Sequence, residues 1–204
     1  MVTKTREKLI EVARQLFARK GMENTTMNDI ANASDKGRRT LYTYFKNKRE
    51  IYNAVIERES DSLVSRLRDI VSSQLDPVEK LTRYLRTRFE IVDETVVRSE
   101  STFRSRFIRD FRRLDKIRRL AVEKEQTLFA QLLDEGVREG KFDPGQASRM
   151  VAMETIVFEG VDYSHIRNNF DEINVSPEEL RRKTVQFMVR AVVAHPDDPY
   201  IPQD

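Results

Sequence analysis

TMNDIANASDKGRRTLYTYFKNK, residues 26–48, describes two short helices separated by a tight break, with a third helix starting at its end. Thr26 is placed to cap the first, because its hydroxyl can accept from the backbone N–H three residues on, and Asp29 stands where a capping box wants an acid. Ile30, Ala31 and Ala33 give that helix a small apolar surface. Ser34-Asp35-Lys36-Gly37 is polar, turn-prone and ends in glycine, so it reads as the break. In the second helix Leu41 and Phe45 are four apart and face inward together. Arg38, Arg39, Thr40, Tyr42, Thr43 and Tyr44 are left largely outward, and no acid occurs from Lys36 to Arg49. A short helix with arginines at its start, fed by a turn from another short helix, suits insertion into a DNA major groove.

The spacing Thr26, Ile30-Ala31, a glycine-containing turn, Thr40-Leu41-Tyr42-Thr43-Tyr44-Phe45 and Lys48 resembles the DNA-binding segment of the TetR (tetracycline-repressor) family, without a gap. The turn departs from the family pattern. Asp35 stands at the usual glycine, Lys36 at a usual small apolar residue, and Gly37 where Ser or Thr usually caps the second helix. The resemblance implies base-facing roles for Arg38, Arg39, Thr40 and Tyr42, with Asn28 as a reader from the preceding helix. It implies phosphate contacts from Thr43, Tyr44 and Lys48, with added charge from Lys46. Lys36 and Gly37 belong to the same interface. Arginine can donate bidentately to guanine N7 and O6, and threonine can touch a base or a thymine methyl.

Around this segment the composition sets bounds. The chain has 204 residues, 39% hydrophobic and 35% charged, with a formal net charge of +3. That suits one large or two small soluble domains with a locally basic face. Cysteine is absent, which excludes thiol catalysis, thiolate metal sites and disulfides, and fits a reducing interior. The N-terminal segment is too charged for a signal peptide, and no apolar run approaches a membrane span, so the expected location is cytoplasmic.

Working outward, Leu9, Val12, Ala13, Leu16 and Phe17 predict a buried stripe on a first helix over residues 3–20, ended by Gly21. That stripe should pack on Ile30, Leu41 and Phe45. A long helix over 48–73 follows and forms a strut from the motif to the rest of the chain. Asp76-Pro77, Asp143-Pro144 and Ser176-Pro177 each pair a capping residue with proline at the first helical position. They start helices over 77–97, 144–168 and 177–194. Between them a short helix over 100–110 and a long one over 112–139 are expected. The polar, proline-rich tail after Ala194 should fray. No alternating strand pattern appears.

Other clusters are more ambiguous. Arg104, Arg106, Arg109, Arg112, Arg113, Lys116, Arg118 and Arg119 read as a solvated basic face, or as an anion contact at a ligand entrance. Phe89, Phe103, Phe107, Phe111, Phe129 and Phe158 are either plain core or the wall of a cavity. The resemblance implies an effector pocket in this region, lined by Phe89, Phe103, Phe107, Phe129, Met150 and Met153. Asp162 and His165 share a helix face and could make half a metal site, but a surface or interface histidine is the simpler reading. Met153, Val157, Gly160, Val161 and Ser164 make one apolar-to-small face, and Leu180, Thr184, Phe187, Met188 and Ala191 a second. A monomer could bury both; the resemblance implies a dimer interface of two helices from each chain.

The expected fold is therefore all-α, with about nine helices. A helix-turn-helix DNA-binding domain over 1–49 precedes a helical ligand-binding and dimerisation domain over 50–204, the boundary falling inside the strut near Glu50. The function expected is sequence-specific transcriptional regulation: a homodimer on a pseudo-palindromic operator, repressing until a small-molecule effector releases it. No catalytic signature, metal site or cofactor is implied. The alternatives are a DNA-binding interaction module without ligand control, and an enzyme with an accessory nucleic-acid domain.

Overall fold

The computed structural model describes residues 2–97, 121–167, 174–195 and 198–202, together with Phe170 and Glu172. Among the described residues every regular element is a helix. These are α1 Val2–Lys20, α2 Met27–Ala33, α3 Arg38–Tyr44, α4 Lys48–Val71 and α5 Pro77–Val97, then α6 over 121–138, α7 Pro144–Arg167 and α8 Pro177–Val192. All three proline-marked starts are where the sequence puts them. The short helix expected over 100–110, the start of the 112–139 helix, the central basic run and Phe103, Phe107 and Phe111 lie outside the described residues. The chain divides into two compact units, one built on Met1–Asp61 and the other on Ser62–Glu94 and Leu120–Asp204. The division falls within α4, later than the Glu50 expected from the sequence.

In the first unit, Leu9, Ile10, Ala13, Leu16 and Phe17 of α1 are buried with Ile30, Ala31, Leu41, Phe45, Ile51, Tyr52, Ala54 and Val55 in one cluster. The expected stripe shifts slightly. Ile10 is buried, Val12 only half-buried, and Ala33 faces solvent. Gly21 ends α1 at φ 78°. Ion pairs fasten α1 to α4: Arg58 to Glu11 and, at 4.0 Å, to Glu7, and Arg14 to Glu59 at 3.6 Å. Arg14 and Arg58, both hydrogen-bonded to Glu11, hold its carboxyl at about 2.

The second unit has its own core. Val78, Leu81, Tyr84, Leu85 and Phe89 of α5 meet Phe129, Leu132 and Leu133 of α6, Phe158 of α7, and Val185, Met188, Val189 and Val192 of α8. Gly136 has no side chain for a packing reason: a Cβ there would lie 2.1 Å from the Phe142 ring. Residues 198–202 of the tail do not fray as expected. Ile201 is 6% exposed within this core. Lys141 bridges Asp76 at 2.7 Å and Asp198 at 3.0 Å, and Ala194 N–H donates to the Lys141 carbonyl at 2.8 Å. Ile201, and Asp198 paired with a lysine two helices earlier, supply anchors that proline content does not reveal.

Candidate nucleic-acid interface

The α2–turn–α3 segment is built by local hydrogen bonds. Thr26 caps α2: its hydroxyl accepts from Asp29 N–H at 3.1 Å, and the Asp29 carboxylate accepts from Thr26 N–H at 2.7 Å. Lys20 pairs with the same carboxylate at 2.9 Å. Lys20 and these Thr26 bonds hold the Asp29 carboxyl at about 2. At the other end of α2, Asp35 takes the left-handed conformation, φ 55°. Its N–H donates to the Asn32 carbonyl at 3.2 Å, and Lys36 N–H to the Ala31 carbonyl at 3.1 Å. That is the paired closure in which helices commonly end on glycine. Aspartate tolerates this region better than most residues, so the departure from the usual glycine leaves the turn intact. Gly37 then caps α3 with no side-chain bond.

α3 is held from beneath. Leu41 is 0% and Phe45 3% exposed. Burial of such side chains is worth about 1.5–3 kcal/mol each. The Arg6 guanidinium lies 5.5 Å over the Phe45 ring. On the outer side Arg38, Arg39, Tyr42 and Thr43 are exposed and Thr40 half-exposed, with Asn28 exposed on α2. Gly37 and Lys46 are also exposed, and Lys36 and Tyr44 half-buried, the Tyr44 ring against the core. The Thr43 hydroxyl donates to its own helix, to the Arg39 carbonyl at 2.9 Å. No acid stands in the first turn of α3.

Lys48 is placed differently from the expectation of a phosphate contact. Its ammonium donates to the carbonyls of Met22 at 2.7 Å and Glu23 at 3.2 Å, tying the start of α4 to the loop after α1. It positions the motif. Two residues that the sequence reading missed share this task. Asn47 accepts from Glu50 N–H at 3.0 Å, and the Glu50 carboxylate accepts from Lys46 N–H at 2.7 Å. The signal was present as Asn47-x-x-Glu50, a capping pair.

In the second unit the remaining expectations are partly redrawn. Phe89, Phe129 and Phe158 are fully buried and packed ring on ring, Phe129–Phe158 at 5.8 Å and Phe89–Phe158 at 5.5 Å. Met150 is buried, but Met153, expected with them, is 52% exposed. It lies on the outer face of α7, because the inward positions run through Met150, Glu154, Phe158 and Val161. Met188 and Val161, expected at a dimer face, belong instead to this chain's own core. The inward stripe of α8 is Val185, Met188, Val189 and Val192, so Met188 turns away from Phe187, which is 67% exposed. Val157, Ser164, Thr184 and Ala191 are half-buried and Gly160 is exposed, with nothing within 4 Å of the place a Cβ would take.

His165 is not a surface histidine. It is 3% exposed, its Nδ1 is 2.9 Å from the Val161 carbonyl, and its ring meets Phe170 edge-on. No group of three or more side chains that could hold a metal forms around it among the described residues. Asp162 takes both terminal nitrogens of Arg88, at 2.5 and 2.8 Å.

Comparison with known proteins agrees with this geometry. The family model described as "Bacterial regulatory proteins, tetR family" matches residues 9–55. The HTH-type transcriptional repressor KstR2 of Mycolicibacterium smegmatis is 28% identical over 143 residues, 68% of each chain. Among solved structures, a transcriptional regulator from Cytophaga hutchinsonii superposes with TM-score 0.69 at 24% identity, over 91% of this chain and 97% of that one. KstR2 of Mycobacterium tuberculosis does so with TM-score 0.56 at 20% identity, over 93% and 95%. A capped α2, a closed turn and a basic, acid-free α3 are the parts of a helix-turn-helix, and residues 9–55, which hold them, match the DNA-binding segment of the tetR family of bacterial regulatory proteins.

Proposed function

We propose that this regulator is a repressor acting as a homodimer on a pseudo-palindromic operator. The observation that carries the reading is α3 itself: Leu41 and Phe45 fix one side, and Arg38, Arg39, Thr40 and Tyr42 are left to face base edges. Asn28 joins them from α2. Thr43, Tyr44, Lys46 and Lys36 face phosphates, with the Gly37 backbone beside them, and Lys48 acts mainly by positioning. Residues 1–49 form the DNA-binding part and 50–204 the part that dimerises and senses a ligand. A repressor among the relatives supports repression.

The dimer reading rests on the outer face of α7 and α8. Met153, Ile156 and Phe187 are 52%, 69% and 67% exposed, and Gly160 between them offers close backbone approach. Large apolar side chains gathered on one outer face mark an association surface. A two-fold contact there matches the symmetry of an inverted DNA repeat. A small effector held in the second unit would favour a conformation in which the two motifs no longer match their half-sites, so affinity falls by differential binding. The cytoplasm, where the operator lies, is the proposed location.

A salt titration of operator binding tests the reading. With about six to ten phosphate contacts, affinity should fall roughly 10³–10⁵-fold between about 50 and 200 mM salt. A flat response in fluorescence anisotropy would contradict it.

A further inference from the structure

Inside the second unit four charged side chains share one buried place. Arg88 of α5 is bidentate on Asp162 of α7, and its Nε reaches Glu125 of α6 only at 3.4 Å. Arg88 and Asp162 are each 3% exposed and Glu125 is 6% exposed. Glu154, on the same inward face of α7, is 1% exposed, and its Oε2 meets no hydrogen-bond donor. Burial, and then the nearby Glu125, push its carboxyl up to about 8, against a smaller opposing pull from Arg88. Among the described residues three carboxyls thus stand near one guanidinium, and that guanidinium is bidentate on Asp162 and leaves Glu154 without a donor.

A buried carboxyl with no donor is expensive in either protonation state, so a packing role alone does not account for Glu154. What Glu154 lacks is a partner that brings N–H donors and a positive charge. A metal ion is the poorer candidate: no group of three or more side chains placed to ligate a metal gathers among the described residues. An anion would meet excess negative charge. Aromatic rings adjoin the cluster, with the Arg88 guanidinium 4.7 Å over Phe158 and 5.9 Å over Phe89. Ring faces beside carboxylates are a surrounding that organic cations favour.

We propose that the buried Arg88–Glu125–Glu154–Asp162 cluster receives the charged end of a small organic amine, with Glu154 as its counter-ion and Glu125 as a second acceptor. This deepens the proposed effector control by naming the ligand's chemistry, and it rests on that reading only for its regulatory consequence. The ammonium arrives with its own proton. Glu154 gives its proton to solvent and takes the ammonium in its place, so binding below the Glu154 pKa releases about one proton per ligand and strengthens roughly tenfold per pH unit.

The test is calorimetric titration of the full chain with ethylamine, butylamine, hexylamine and benzylamine, using benzyl alcohol and benzoate as neutral and anionic matches. Runs at about pH 6 and about pH 7, in two buffers of different ionisation enthalpy, read the proton released. At least one amine should bind at least roughly tenfold more tightly than the alcohol and benzoate, with proton release near one. Glu154→Gln should lower that affinity at least roughly tenfold, while Glu154→Asp, which keeps the charge, retains part of it. Circular dichroism melts establish that each variant is folded. The proposal is overturned if no amine outbinds the two controls, or if a folded Glu154→Gln protein binds amines as the wild type does. Operator release, followed in parallel, separates the two readings. An amine that binds through Glu154 but leaves the operator bound upholds this site and removes effector control. A different compound that releases the operator, with no amine bound, does the reverse.

Discussion

Glu154 is a residue whose chemistry differs sharply from its sequence context. Its carboxyl is pushed up to about 8 from an ordinary 4.5, chiefly by burial. The folded state therefore binds the proton more tightly than the unfolded state does. Below pH 4.5 both states are protonated and titration adds no penalty; between 4.5 and about 8 the unfolded chain ionises first and stability falls as pH rises; above about 8 the penalty is constant. Glu154→Gln removes the titration. Its stability relative to wild type should rise by up to about 1.4 kcal/mol per pH unit across that window and level off above it. Denaturant melts of the two proteins from acid to alkaline pH measure the difference. A difference that stays constant with pH would show that Glu154 is ionised in the fold at neutral pH. None of this was legible in the sequence, because α5, α6 and α7 bring Arg88, Glu125, Glu154 and Asp162 together from positions far apart in the chain.

At the scale of elements, α3 separates its duties by face. Arg39 is exposed and assigned to a base edge, whereas Lys46, at the break before α4, is assigned to phosphate. Arg39→Ala should cost about 1–3 kcal/mol on the preferred site and relax the preference at one position, whereas Lys46→Ala should weaken all sequences alike. Competition between specific and random duplexes distinguishes them. Equal losses on both DNAs for both variants would overturn the assignment. Most of this domain could be read in advance, because its determinants are local: the Thr26–Asp29 cap, the four-residue spacing of Leu41 and Phe45, and the prolines that begin α5, α7 and α8. Non-local choices could not. Lys48 reaches back to carbonyls 25 and 26 residues earlier, and no spacing rule announces that. On α8 the sequence puts Phe187 and Met188 on one stripe, and only packing against this chain's own core decided that Met188 turns in while Phe187 turns out.

For the whole molecule, the proposed dimer contact on the outer face of α7 and α8 would set how many motifs meet one DNA. Phe187 makes no part of the chain's own core, so Phe187→Glu should leave the fold and its circular dichroism unchanged. The same change would bring two carboxylates into a two-fold contact and shift the protein toward monomer in sedimentation. A Phe187→Glu protein that sediments as wild type would move the interface elsewhere. A monomer would keep only the weak affinity of a single motif, since the gain from linking two sites depends on their geometry. The most direct test of a two-fold DNA-reading dimer is selection of bound duplexes from a random pool by the wild-type protein. The account predicts an enriched inverted repeat whose half-sites lie one helical turn, about 34–36 Å, or a multiple of it apart. No enriched sequence, or an enriched site without two-fold symmetry, would contradict it.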